Sequence, residues 1–236
     1  MAESDFTLLS SSLSSGSVDR GVTAGATPPS GGGSFVYGFN SLDTSQGVVG
    51  LFCNLTDFAP MAKGGSVRMA MKRSRGGGRT NFAPFIFIGC SGPDVSDTAY
   101  MLGLGDSDPS RIVLRKGSLA GGLPDAVISS PPTSGVLAKS TATIGEDVWV
   151  HLRLDMIVNL NGDVVLNVYR NDLIGPNTVV APSWQAIPGM SQFIDDSLGV
   201  NSGTPALTSG RAGFAFQSKD VTRRAFFDHL EILRQT

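Results

Sequence analysis

Apolar and polar residues alternate along short stretches through most of the chain. In residues 66–72 the side chains of Val67, Met69 and Met71 fall on one side of an extended backbone, and polar ones such as Arg68 fall on the other. A repeat of two residues is the pattern of a β-strand with one buried face. This stretch therefore predicts a half-buried strand.

Patterns of this kind predict a series of short strands separated by turn-forming residues. The predicted strands are residues 35–39, 48–53, 66–72, 82–90, 100–104, 111–115, 148–156, 164–168, 213–216 and 226–233. Residues 82–90 are almost wholly apolar, which is typical of a strand with both faces buried. An Asn161-Gly162 turn predicts a hairpin, and only residues 191–198 favour a short helical turn. The sequence therefore predicts an all-β, antiparallel jelly-roll sandwich.

The first 33 residues differ in composition from the rest of the chain. They are rich in serine, glycine and proline, and such a segment buries little apolar surface by itself. We therefore interpret residues 1–33 as an extended N-terminal arm and residues 34–236 as the sandwich. Phe6, Leu8 and Leu9 are apolar exceptions that could anchor the arm on a neighbouring subunit, and the alternative is a disordered tail.

Charge is scarce, because only 16% of residues are charged against roughly 25% in an average protein, and the net charge is −2. Such a chain has no overall attraction for nucleic acid or an anionic membrane. The first residues lack the basic and apolar regions of a secretory signal, and no apolar run reaches membrane-spanning length. We expect synthesis in the cytoplasm, no membrane association, and buried thiols at Cys53 and Cys90, with a disulfide as the alternative.

Residues suited to enzymatic chemistry are few. Glycosidases need two carboxylates at a set spacing, and the only glutamates, Glu3, Glu146 and Glu231, form no such pattern. His151 and His229 lie in predicted strands between large apolar residues, which favours a structural role. We therefore predict a protein without enzymatic activity, and assign no catalytic and no cofactor-binding residues.

Acidic loops raise the question of a metal ion. Asp94, Asp97, Asp106 and Asp108 could supply the oxygen ligands that Ca²⁺ prefers. Aspartate is also a common turn residue, because its side chain bonds to the backbone two residues further on. We favour the turn role and assign no metal ligand.

A basic stretch runs from residue 63 to residue 79 without an intervening acidic residue. It contains Lys63, Arg68, Arg73, Arg75 and Arg79. Such a run can dock on an acidic partner or on nucleic-acid phosphates, or it can be a solvated loop. Because its loop lacks aromatic residues that could stack on bases, nucleic acid is disfavoured. We predict that these five side chains contact other protein subunits.

Short motifs in the last third of the chain match a known group of sandwiches. They comprise residues 149–154, 161–163, 164–169, 210–216 and 226–232. A Trp-led strand enters a hairpin, and a Gly-x-x-Gly-Phe strand precedes the final strand. In these features the chain resembles the concanavalin-like, laminin-G-like jelly-roll family. The resemblance implies the sandwich fold, and the family includes lectins, glycan hydrolases and architectural modules.

A second resemblance concerns residues 100–117, which are similar to virion proteins of tailed bacteriophages. It implies a structural component of the particle, in head decoration, neck, or tail and baseplate. Such a component would be made in the host cytoplasm and would bind other virion proteins and copies of itself. The alternative is a lectin-like module for host-surface glycans, in which Trp184, Tyr100 and Tyr169 are the candidate sugar contacts.

Overall fold

A computed structural model describes residues 6–10, 18–23, 36–41, 47–53, 64–75, 82–107, 109–124, 135–171, 181–218 and 223–234. Within these residues the chain forms fifteen β-strands and one short 3-10 turn at Leu119–Gly121. No helix in this part of the chain is long and apolar enough to cross a membrane.

The strands form two antiparallel sheets that pack face to face. They are β1 (Phe6–Ser10), β2 (Val18–Thr23), β3 (Val36–Ser41), β4 (Gly47–Cys53), β5 (Gly64–Arg75), β6 (Phe82–Cys90), β7 (Thr98–Leu104), β8 (Ser110–Ser118), β9 (Val136–Ile144), β10 (Val150–Val158), β11 (Val164–Asn171), β12 (Trp184–Ala186), β13 (Phe193–Asp195), β14 (Arg211–Ser218) and β15 (Arg223–Arg234). The seven-stranded sheet has the order β1-β4-β14-β6-β7-β8-β9. The eight-stranded sheet has the order β12-β11-β10-β5-β15-β3-β2, and β13 also pairs with β11. The predicted all-β, antiparallel jelly-roll sandwich is confirmed.

The main core lies between the two sheets. On β10 the alternation of the sequence turns Val150, Leu152, Leu154 and Met156 into this core, and β5 contributes Met69 beside them. The residues between them on each strand must then face the opposite side of the eight-stranded sheet. The binary pattern of two central strands therefore determines which side chains are available to a ligand.

The seven-stranded sheet also has apolar side chains on its outer side. Phe85, Phe87 and Met101 form a second cluster there, and Leu119 of the 3-10 turn packs against it. Both faces of β6 are therefore buried, as its apolar sequence predicts. The eight-stranded sheet instead turns a largely polar side away from the core, and that side is where functional groups accumulate.

Two local predictions have opposite outcomes. The Asn161-Gly162 hairpin is confirmed, because β10 and β11 pair with Val158 opposite Val164 and Gly162 adopts a φ of 83°. The helical turn at residues 191–198 is wrong. Those residues contain β13, whose backbone pairs with β11, and the hydrogen bonds of that pairing outweigh the weak local preference for a turn. The sequence patterns also missed β9 and β12.

The N-terminal segment contributes one outer strand to each sheet. β1 pairs with β4 along residues 6–10, and β2 pairs with β3 along residues 18–23. These pairings satisfy backbone groups of β4 and β3 that would otherwise lie at a sheet edge. The division of the chain into an arm (1–33) and a sandwich (34–236) stays a prediction.

A β-bulge in β15 sets which side chains of the last strand face away from the core. Asp228 pairs with Ala70 and Glu231 with Arg68, so two residues of β15 lie between these pairs against one residue of β5. The extra residue shifts the alternation by one, and both carboxylates consequently stay on the outer side. His229, inside the bulge, has a φ of 54°, a region that side chains other than glycine adopt at some cost.

A buried charged cluster joins the loop after β13 to the seven-stranded sheet. Lys116 Nζ lies 2.7 Å from Asp195 Oδ2 and 3.0 Å from Ser202 Oγ. It also donates to the carbonyl oxygens of Thr204, at 2.7 Å, and of Pro205, at 2.6 Å. The ammonium and the carboxylate are both almost completely inaccessible. Such a pair is tolerated because nearly every hydrogen-bonding group has a partner.

Tyr100 completes this cluster. Its hydroxyl donates to Asp195 Oδ2 at 2.5 Å and accepts from the backbone N–H of Leu207 at 2.9 Å. Burial, followed by the negative charge of Asp195, raises the pKa of Tyr100 well above its ordinary value. The hydroxyl therefore remains a donor throughout the range in which proteins are handled, and the loop stays attached to the sheet.

We expect that removing either charge of the Lys116–Asp195 pair lowers the free energy of unfolding by about 3–5 kcal/mol, because the remaining charge is left buried. The double variant Lys116→Met/Asp195→Leu should cost clearly less than the sum of the two single variants. Urea unfolding of the four proteins measures this coupling. Simple additivity of the two costs would contradict it.

The bulge predicts a difference between two variants that both remove the imidazole of His229. His229→Gly should be more stable than His229→Ala by roughly 0.5–1 kcal/mol, because only alanine carries a Cβ into the left-handed region. Chemical unfolding of the two proteins measures the difference. An alanine variant at least as stable as the glycine variant would show that the bulge is not strained.

Candidate functional site

We call the side of the eight-stranded sheet that is turned away from the core the polar face. It is built by the outward residues of β10, β11, β5 and β15, together with aromatic side chains from β12 and from the start of β10. Its polar and aromatic members are Ser66, Arg68, Lys72, Trp149, His151, Arg153, Asp155, Asn167, Tyr169, Asn171, Trp184, Phe226, Asp228 and Glu231, and Ala70, Ile157, Val165 and Leu233 lie on the same side.

One cross-strand row runs through the middle of the polar face. In register, Tyr169 of β11 lies opposite Arg153 of β10, Arg153 lies opposite Arg68 of β5, and Arg68 lies opposite Glu231 of β15. Side chains in such positions are direct neighbours on the sheet surface. The Arg153 guanidinium lies 5.2 Å from the centre of the Tyr169 ring, a cation–π distance. The row therefore joins an aromatic ring, two cations and a carboxylate.

Each of the two arginines has a carboxylate partner. Arg153 donates to both oxygens of Asp155, at 2.7 and 2.6 Å, and these bonds raise the pKa of the guanidinium. Arg68 Nη2 lies 2.5 Å from Glu231 Oε1. The first pair is bidentate and formed within one strand, whereas the second joins two strands through a single contact.

Trp184 lies across the strands beside this row. Its indole ring is 4.6 Å from the imidazole of His151, centre to centre, and 5.8 Å from the guanidinium carbon of Arg68. The imidazole is buried, and its Nδ1 is 3.2 Å from the side-chain nitrogen of Asn171. Trp184 therefore has the His151 imidazole against its ring and the Arg68 guanidinium over it, while part of its surface remains accessible to solvent.

A second aromatic group lies at the other end of the polar face. The ammonium of Lys72 is 5.4 Å from the ring centre of Trp149 and also 5.4 Å from that of Phe226. Phe226 and Lys72 are opposite each other in register. Trp149 and Phe226 therefore occupy the row next to that of Trp184, on the side away from Tyr169, and the face carries aromatic surface in three successive rows.

Two buried polar atoms of the polar face make no hydrogen bond within the described part of the chain. They are Ser66 Oγ and Asp228 Oδ2. Ser66 lies opposite Asp155, and Asp228 lies opposite Ala70, so the two atoms flank the central row. An unbonded buried polar atom costs free energy, and because both atoms are inaccessible, that cost is borne within the protein.

The predicted partner-contact residues are dispersed. Arg68 belongs to the polar face, where it is paired with Glu231. Arg73 is fully buried and donates to the carbonyl oxygens of Gly105 and Ser107, so its prediction as a surface contact is wrong. The sequence misled here because arginine side chains are usually exposed, so burial of Arg73 at an inward position of β5 was not expected.

The remaining partner-contact predictions stay predictions. Phe6, Leu8 and Leu9 lie on β1 and Arg75 ends β5, and only their backbones are described. The positions of Lys63 and Arg79 are outside the described residues. Contacts of these side chains with other subunits are therefore not decided by the fold.

The structure also shows where the candidate sugar contacts and the acidic loops lie. Tyr100 is completely buried, so its prediction as a sugar contact is wrong, whereas Trp184 and Tyr169 both lie on the polar face. Asp94 and Asp97 bond to their own turn through Ser96 N–H and Asp94 N–H. No group of three metal-ligating side chains occurs among the described residues.

The two thiols are as expected from the sequence. Cys53 and Cys90 are both free and buried. Burial raises the pKa of the Cys90 thiol to about 12, despite an opposing hydrogen bond to the carbonyl of Gly92. A thiol in this state is a poor nucleophile and contributes to packing.

A second surface feature, which we call the apolar corner, was not found from the sequence. Leu160, Ile194, Leu198 and Val200 are 93%, 50%, 83% and 67% exposed. They lie in the β10–β11 turn, in β13 and in the following loop, which a hydrogen bond from Ser197 N–H to Asp163 brings together. Short loops flanked by aspartate and glycine look solvated in sequence, and their exposed aliphatic residues gave no periodic signal.

The turns of the apolar corner are held by hydrogen bonds. Asp196 accepts from the backbone N–H groups of Val200 and Asn201, at 2.8 and 3.2 Å. Asp163 accepts from Asn159 and from Ser197, and these bonds lower its pKa. The aliphatic side chains are therefore presented on ordered turns, where burial against a partner would cost little chain entropy.

Comparisons with known proteins establish the fold alone. No family model matches the sequence, and no curated protein is significantly similar to it. Among solved structures, the chain is similar to the potassium-bound Emp46p carbohydrate recognition domain (12% identity, TM-score 0.52, covering 99% of this chain and 90% of that one). It is also similar to the cellulose induced protein Cip1 (12%, 0.53, 98% and 92%) and to the PL-14 alginate lyase of Aplysia kurodai (13%, 0.52, 92% and 87%). The chain thus shares the β-sandwich fold of these structures.

Proposed function

We propose that this protein binds carbohydrate on its polar face and does so without chemical turnover. The observation that carries the proposal is the Trp184 indole, held half-exposed between His151 and Arg68. One face of a pyranose ring is lined by C–H groups and packs on an aromatic ring, while its hydroxyls bond to polar side chains at the edges. Trp184 with its polar neighbours offers both kinds of contact.

The surroundings of Trp184 suit more than one sugar unit. Tyr169 lies one cross-strand row away, which corresponds to roughly 6–7 Å along a strand, and Trp149 with Phe226 lies one row away on the opposite side. The polar face therefore suits a short oligosaccharide lying flat on the sheet.

Binding without turnover is supported by how the carboxylates are used. Asp155 is bonded to Arg153 and Glu231 to Arg68, so neither is one of two opposed carboxylates of the kind that glycosidases use. The fold is compatible with binding, since the similar Emp46p structure is a carbohydrate recognition domain. The fold also occurs in an enzyme, the alginate lyase of Aplysia kurodai.

Trp184→Ala is expected to weaken glycan binding at least tenfold, because the stacking surface is lost. The measurement is a glycan array followed by titration calorimetry of the best ligand. Leu198→Ala is the control, since it removes an exposed apolar side chain from the loop after β13, outside the polar face. Equal affinities of the two variants for that ligand would refute the assignment to Trp184.

A second candidate function is assembly into a particle through contacts between copies of the chain, as the virion resemblance implies. The apolar corner is the observation in its favour, because aliphatic patches presented on ordered turns are characteristic of protein interfaces. The described charges at the corner, Asp163 and Asp196, are engaged by backbone N–H groups. Two copies could therefore approach through this corner without unpaired like charges meeting, which favours a symmetric contact.

The double variant Leu198→Ser/Val200→Ser tests this second function. We expect wild-type protein to show a concentration-dependent rise in mass by light scattering and the variant to remain at its monomer mass, because the apolar contact is removed. Trp184→Ala should behave like wild type. A monomeric wild-type protein at all concentrations, or an oligomer that the double variant leaves intact, would exclude self-association through the apolar corner.

A further inference from the structure

We propose that the glycan recognised on the polar face is acidic, and that Glu231 occupies the place of the glycan's carboxylate on Arg68 until the ligand displaces it. This inference rests on the proposed carbohydrate-binding function and names its ligand class. The ligand would be an oligosaccharide that contains a uronic acid or another carboxylated sugar.

The first step is the arrangement of the two arginines. Arg68 and Arg153 lie directly opposite each other on adjacent strands and on the same side of the sheet. Like charges in this position repel, and carboxylates beside the guanidinium groups offset that repulsion. The protein itself supplies one carboxylate to each arginine. At the centre of the polar face, two carboxylates therefore accompany the two guanidinium groups.

The two internal carboxylates differ in how firmly they are held. Asp155 is nearly buried, and both of its oxygens bond to Arg153, which lies two residues away on the same strand. The Glu231 side chain is 47% exposed and makes one contact with Arg68 through Oε1, while the Arg68 side chain is 22% exposed. An ion pair that is this accessible contributes little to stability and is exchanged at little cost. Asp155 is thus a fixed part of the site, and Glu231 is replaceable.

The position of Arg68 gives the exchange its specificity. Its guanidinium lies 5.8 Å from the centre of the Trp184 ring, so a sugar stacked on the indole brings its substituents next to Arg68. A planar carboxylate can accept two parallel hydrogen bonds from a guanidinium, whereas Glu231 uses one oxygen. The ligand carboxylate would therefore replace a single contact with a bidentate one. Because Arg68 already contacts the carboxylate of Glu231, it can contact a ligand carboxylate in the same position.

Glu231→Gln is the direct test, because glutamine has nearly the same shape and no charge. The probes are an array of uronic-acid oligosaccharides and the same oligosaccharides with their carboxyls reduced to alcohols, with sulfated neutral oligosaccharides as a third set. We expect wild-type protein to prefer the carboxylated form over the reduced form by at least about tenfold. Glu231→Gln should raise affinity for the carboxylated form by about threefold to tenfold and leave the reduced form unchanged, since an exposed pair is weak.

Arg68→Gln is the matched counterpart. It should remove the preference for the carboxylated form, so that the carboxylated and the reduced oligosaccharides bind with the same affinity. The preference of wild-type protein should also decline as salt is raised from 50 to 500 mM, because charge attraction is screened. Both variants alter an exposed ion pair, so thermal unfolding close to that of wild type is expected and confirms that the fold is retained.

The outcomes separate this inference from the function on which it rests. If Trp184-dependent binding is found but the reduced or sulfated oligosaccharides bind as well as the carboxylated ones, the acidic ligand is refuted and carbohydrate binding stands. If Glu231→Gln lowers affinity for the carboxylated form, Glu231 is a contact and its displacement is refuted. If no glycan of any set binds, the proposed function fails and the inference with it.

Discussion

The polar face depends on one constraint, the register between β5 and β10. These neighbouring strands each turn alternate apolar residues into the core, and a shift of one residue would place those residues in solvent. The same register that protects Leu152 and Met69 necessarily brings Arg153 opposite Arg68. The meeting of two cations on the outside is thus a by-product of correct packing on the inside. Neighbouring residues supply the carboxylates that offset these two positive charges.

The source of those carboxylates shows how local backbone geometry serves the face. Asp155 follows from simple alternation along β10, two residues after Arg153. Glu231 does not, since a regular β15 that presents Asp228 outward would turn residue 231 inward. The bulge at His229 adds one residue and so returns residue 231 to the outer side. It also requires a left-handed backbone at a residue that has a side chain, which costs free energy. Electrostatic balance and backbone strain are therefore linked in the last strand.

The sequence predicted the fold well and the site in part, for physical reasons. Alternation determines which strands exist, and resemblance in residues 149–169 and 210–232 indicated how they are arranged. Trp184 and Tyr169 were candidate sugar contacts under the lectin-like alternative, because lectins of the family that the chain resembles use exposed aromatic residues. Tyr100 looked equivalent and is not, because its hydroxyl satisfies Asp195 inside the protein. Which arginines meet across strands depends on register, and no single stretch of sequence carries that information.

The N-terminal strands have a practical consequence for anyone handling this protein. β1 and β2 cover β4 in one sheet and β3 in the other, so a chain shortened to begin after residue 33 would uncover one unpaired edge in each sheet. Two such edges on one molecule can add strands from two different neighbours, which is the geometry of open-ended aggregation. Aggregation of a shortened chain would therefore indicate exposed strand edges. It would give no information about what the segment binds in the intact protein.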